Sequence, residues 1–80
     1  NQVRWAAGAT ERPGEVALHL GTVTPDFDTF LARIDHGDWH PVADRFTWTL
    51  HDGGNRLDLR TGHRAGILGV VSHIEVDYTP

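Results

Sequence analysis

The chain has 80 residues, 7 basic against 11 acidic side chains, six histidines and a formal net charge of −4. That acidic balance excludes non-specific binding to phosphate backbones, which needs a basic surface. The absence of cysteine excludes a disulfide framework and a thiolate zinc site.

In chain order, Val3, Trp5 and Ala7 alternate with polar or small neighbours and predict a first strand, closed by the polar loop Thr10-Glu11-Arg12-Pro13-Gly14. Val16, Leu18 and Leu20 predict a second strand with those side chains on the core. Residues 25–34 admit two readings. Phe27, Phe30, Leu31 and Ile34 fall at helical spacing, with Thr24 as N-cap and Pro25 at the first helical position. Phe30, Ala32 and Ile34 also alternate and run into Asp35-His36-Gly37-Asp38, a hairpin turn, which favours a strand because the rest of the chain is built that way. Trp39 then opens the returning strand, and Pro41 places it at a sheet edge. Phe46-Thr47-Trp48-Thr49-Leu50 alternates most cleanly, with Trp48 on the core side. The turn Asp52-Gly53-Gly54-Asn55 leads to a strand over 55–61, carrying Leu57 and Leu59 inward. A glycine-punctuated loop through Gly62, Gly66 and Gly69 precedes a last strand over 71–78. Its apolar run from Ile67 to Val71 is the longest in the chain and far too short to span a membrane.

Strands with one wet face, joined by short Gly/Asp/Asn turns, predict a single all-β domain over 1–80, an antiparallel sandwich of about seven strands in two sheets. The expected core is Phe30, Ile34, Phe46, Trp48, Leu50, Leu57, Leu59, Ile74 and Val76. Folding at this size buries roughly 60–65% of the unfolded surface, which leaves little room for an enzyme cleft.

The order Phe-x-Ala-x-Ile-Asp-x-Gly-x-Trp, Phe-x-Trp-x-Leu-x-x-Gly-x-Asn-x-Leu-x-Leu-Arg, and Ala-Gly-x-x-Gly-x-x-Ser-x-Ile-x-Val-x-Tyr resembles the immunoglobulin-like and fibronectin type III-like modules of bacterial multidomain proteins. The resemblance makes residues 30–39 the C–C′ hairpin, 45–50 strand E, 55–61 strand F and 71–78 strand G. It departs from those families in lacking the second-strand tryptophan, the strand F tyrosine and the immunoglobulin cysteine pair. It implies an accessory domain of a secreted carbohydrate-active enzyme, such as a glycoside hydrolase or polysaccharide lyase, or of a sensor propeller.

Several residue groups invite chemistry. His36, Asp38 and His40, beside Asp35 and Asp44, offer nitrogen and oxygen donors for a divalent metal, although a hairpin tip does not by itself aim them at one centre. Asp26, Asp28 and Asp35 lack EF-hand spacing for calcium. Trp5 and Trp39 offer flat faces for stacking sugars. Arg56, Asp58 and Arg60 share one face of their strand, opposite His73, Glu75 and Asp77, and read as a ladder of surface charge pairs worth at most ~1 kcal/mol each. Ser72 and His73 point to opposite faces, so they form no nucleophile–base pair. Ile67, Leu68, Val70 and Val71, with Val23 or Phe27 beside them, form an apolar run where a small domain ordinarily shows polar residues.

The expectation is therefore a non-catalytic accessory, spacer or interaction domain that requires no cofactor. The absence of Met at position 1 and the abrupt strand-like ends lead us to expect a piece of a longer bacterial protein, extracellular or periplasmic. Its partner would be a neighbouring domain or a second copy, with no nucleic acid and no membrane span. The alternatives are a carbohydrate-binding module taking polysaccharide, and a metal- or ligand-responsive interaction domain.

Overall fold

The computed structural model describes residues 3–23, 27–63, 66 and 68–80. It is all-β: seven strands in two antiparallel sheets, with no helix among the described residues. The strands are β1 (Arg4–Ala9), β2 (Glu15–Gly21), β3 (Phe27–Ile34), β4 (His40–Val42), β5 (Arg45–Thr49), β6 (Gly53–His63) and β7 (Ser72–Tyr78). One sheet has the order β1-β2-β5 and the other β4-β3-β6-β7. The ambiguous stretch is a strand where it is described; Thr24, Pro25 and Asp26, proposed as a helix start and a calcium ligand, lie outside the described residues.

The core lies between the sheets and follows the period-2 pattern. Leu18 and Leu20 from β2 and Trp48 from β5 meet Phe30 and Ala32 from β3 and Leu57 and Leu59 from β6, all buried. Val16, Phe46, Leu50, Ile74 and Val76 pack around this cluster half-buried. Ile34 corrects the expected core, being 41% exposed although its partner Leu57 is fully buried. It is the last residue of β3 before the turn, at the rim of the sandwich, so it has the inward phase without cover. Val3 is buried, but Trp5 and Ala7, opposite Leu20 and Leu18, are exposed. The edge strand β1 therefore overhangs the core instead of closing it.

Two turns differ instructively from the sequence pattern. Asp35 and His36 both adopt positive φ (49° and 61°), and the Gly37 N–H donates to the Ile34 carbonyl at 2.9 Å, which makes a type I′ turn. The turn closes Ile34 on Gly37, yet the ladder pairs Ala32 with His40, so the returning side carries one extra residue. This bulge lies next to Trp39. Gly53 and Gly54, expected in a turn, already belong to β6 and pair with Tyr78 and Asp77. The chain at 50–52 is instead a crossing from one sheet to the other. As Pro41 predicted, β4 is a short edge strand.

The registers also define two poles. β2 ends and β3 begins at one of them, where Arg4 pairs with Gly21 and Phe27 with His63. At the other, Asp35 meets Arg56 and Gly53 meets Tyr78.

Candidate functional site

On β6 the odd residues 55–61 face the core, so Arg56, Asp58 and Arg60 take the outer face of the four-stranded sheet. Arg33 on β3 is directly opposite Asp58, and Glu75 on β7 is opposite Arg56. The expected charge ladder is met in part: Arg56 is opposite Glu75 and Asp58 opposite His73, but Asp77 is opposite Gly54, and the centre of the face is not a surface charge. Asp58 is fully buried beneath two arginines: Arg33 donates from Nε (2.9 Å) and Nη2 (2.8 Å) to Oδ2, and Arg56 Nε donates to Oδ1 at 3.0 Å. Burial pushes the Asp58 carboxyl up, but the two guanidinium groups outweigh it and hold it below the ordinary 3.8. Arg56 also reaches Glu75 Oε1 at 3.4 Å.

Trp39, beside the hairpin bulge, lies against this face. Its ring is 4.6 Å from the Arg33 guanidinium carbon and 4.1 Å from that of Arg60. These are cation–π distances. Trp5 belongs to the other sheet, so the two tryptophans proposed for sugar stacking do not share a platform. Arg60 Nε is buried without a hydrogen-bond partner. Sequence reasoning missed Arg33: its phase on β3 predicts an outward side chain, but only the β3–β6 register brings it to Asp58.

The polar pole is built from Asp35, His51, Asn55 and the Arg56 backbone. The left-handed turn aims the Asp35 carboxylate across to the β5–β6 crossing. There Oδ1 accepts the Arg56 N–H at 2.9 Å and Oδ2 lies 2.7 Å from His51 Nε2. His51 Nδ1 faces the Asp52 carbonyl at 2.9 Å. Both ring nitrogens meet acceptors, and only the imidazolium can donate to both. The Asp52 carbonyl, then Asp35, raise the His51 pKa above 6.5; the Arg56 N–H, then His51, hold the Asp35 carboxyl below 3.8. A groove of about 620 Å³ runs from Asp35 past Arg56 to Glu75 and Asp77.

His36, Asp38 and His40 are exposed, and His40 Nδ1 is 3.4 Å from the Asp38 carbonyl. Among the described residues no three His, Cys, Asp or Glu side chains are placed to hold a metal ion. Among the same residues no helix is long and apolar enough to cross a membrane.

At the opposite pole the chemistry is apolar. Val23 is 74% exposed, Val70 53%, Leu68 49% and Val71 41%. Trp5, at 44%, stands at the same pole, since its partner Leu20 is next to the end of β2. The 68–71 segment is anchored at its root, where Gly69 N–H donates to the Thr61 carbonyl at 2.9 Å and Leu68 bridges to Gly62. Ile67 and the Phe27 side chain, proposed for the same patch, lie outside what is described.

No protein-family model, curated protein or solved structure matches the chain.

Proposed function

We propose that this domain is a non-catalytic interaction module of the immunoglobulin-like or fibronectin type III-like kind. It packs its apolar pole against a neighbouring domain of a larger extracellular or periplasmic bacterial protein. One observation carries the reading: of the six large hydrophobic side chains exposed among the described residues, all but Ile34 lie toward one pole. Apolar groups clustered this way on a small domain mark a contact surface, whereas singly scattered ones need no explanation. The strand arrangement supports the family assignment. β5 beside β2 has the place of strand E beside B, and β3, β6 and β7 share a sheet as C, F and G do.

The test uses the double variant Leu68→Ser/Val70→Ser, in the isolated domain and in a longer polypeptide that includes its flanking segments. We expect the isolated domain to keep its stability within about 1 kcal/mol, as surface changes usually do. In the longer chain, amide exchange at 68–71 should be slower than in the isolated domain, and the variant should remove that protection. A large stability loss in the isolated variant, or identical exchange in both contexts, would refute the docking pole.

A second reading, carbohydrate binding, is favoured by one site only. Trp5, with Arg4 and His19, lines a shallow groove of about 250 Å³. Saturable calorimetric heat with a soluble polysaccharide, abolished by Trp5→Ala, would select it over docking.

A further inference from the structure

The two sheets have four outer strands, and they are not equally protected against pairing with another chain. β4 has three residues and contains Pro41. β7 exposes His73, Glu75 and Asp77, so a second β7 would bring acid against acid. β5 begins at Arg45 and exposes no large apolar side chain. β1 reads Arg4-Trp5-Ala6-Ala7-Gly8-Ala9: six residues, one charge, no proline, every position exposed, and one large apolar ring standing clear of the core. Charged side chains, prolines and short lengths are the devices that keep sheet edges from pairing, and β1 has none beyond Arg4.

We infer that β1 is a self-association edge, pairing antiparallel with β1 of a second copy into a continuous six-stranded sheet. The argument for a second copy is self-complementarity. A two-fold axis perpendicular to the sheet keeps core-facing phases on one side, so opposed residues must have equal parity. Centred on Ala6, it sets Ala6 against Ala6 of the second copy, Trp5 against Ala7 and Arg4 against Gly8. No two charges oppose each other. Nothing lies within 4 Å of where a Gly8 Cβ would stand, so the long Arg4 side chain of the second copy has room. The two Trp5 rings become diagonal neighbours on the core-facing side, a separation aromatic side chains bridge. Of the chain's 11 carboxylates none is on β1, so two acidic molecules meet there without acid facing acid.

The experiment is sedimentation equilibrium of the wild type from micromolar to millimolar chain, beside Ala6→Lys, Ala6→Glu and their equimolar mixture. Ala6 is exposed, and thermal melting confirms that each variant is folded. The wild type should approach twice the chain mass. Each variant alone should need at least tenfold more protein to do so, and the mixture should recover wild-type association through Lys–Glu pairing across the axis. Leu68→Ser/Val70→Ser should dimerise normally, because neither residue is on the pairing strand β1. As a measurement independent of any variant, β1 amide exchange in the wild type should slow as concentration rises. A wild type monomeric at millimolar concentration, charge variants that associate unimpaired, a mixture without recovery, or concentration-independent β1 exchange would each overturn the inference. Dimerisation lost in the Leu68/Val70 variant would assign the contact to the apolar pole instead.

Discussion

Asn55 is the residue on which the polar pole turns. Only 3% exposed, its Oδ1 accepts the His51 N–H at 2.8 Å, while its Nδ2 donates to the carbonyls of His51 (2.8 Å), Gly53 (3.0 Å) and Val76 (3.3 Å). One amide thereby satisfies the backbone where the chain crosses between sheets, work that a turn hydrogen bond would do in a hairpin. Asn55→Ala strands those groups, and about 3 kcal/mol of stability should be lost. The urea midpoint should fall with an unchanged slope. Asn55→Asp should be worse near neutral pH, because a carboxylate would face three carbonyl oxygens, and protonation at low pH should recover part of the loss. If Asp were tolerated as well as Asn at pH 7, the assigned donor roles would be wrong. The sequence places Asn55 next to a Gly-Gly pair, which reads as turn chemistry; its burial follows only from the crossing.

Among the elements, the β3–β4 turn of the four-stranded sheet and the β5–β6 crossing, which links the two sheets, are joined by Asp35 and His51. The sign of their pH response follows from the two shifts. His51, raised above 6.5, adds stability that is complete below that value and is lost as pH rises through its folded pKa. Asp35, lowered below 3.8, adds stability that is complete above that value and is lost as pH falls through its own. The melting temperature of wild type minus that of His51→Ala should therefore be largest between pH 3.8 and 6.5 and should shrink on the alkaline side. Both groups are solvent-exposed, so the effect should be small and reduced by salt. A difference independent of pH would show that the ring contributes by packing alone. The strand pattern was legible because each face sees one solvent. Trp48, Leu57 and Leu59 are inward by simple alternation, and a hairpin turn at Asp35-His36-Gly37-Asp38 follows from turn-forming residues after an apolar run; its type I′ form, with Asp35 and His36 at positive φ, does not. The stacking of Trp39 was not legible. It depends on one extra residue in the hairpin and on which strand lies beside β3, and neither is a local property of the chain. The burial of Asp58 is hidden for the same reason: alternation marks it as outward, and only arginines from β3 and its own strand close over it.

At the scale of the molecule, the sandwich is elongated, 42 Å along its longest axis, with β1 starting at the apolar pole and β7 ending at the polar one. These two strands lie in different sheets. A pull on residues 3 and 79 therefore acts along the strands and drags β1 lengthwise past β2. The hydrogen bonds of an antiparallel ladder run across the strands, so the six β1–β2 register pairs resist together instead of in turn. Handles moved to residues 10 and 79 would seize β1 by its other end, at the polar pole, and peel it away one pair at a time. Single-molecule force spectroscopy should record a clearly higher unfolding force in the first geometry than in the second; equal forces would mean that β1 is not what holds the ends together. The antiparallel register of an exposed edge strand thus makes the domain stiff to tension along its length and weak to tension across it, a directional mechanical fuse.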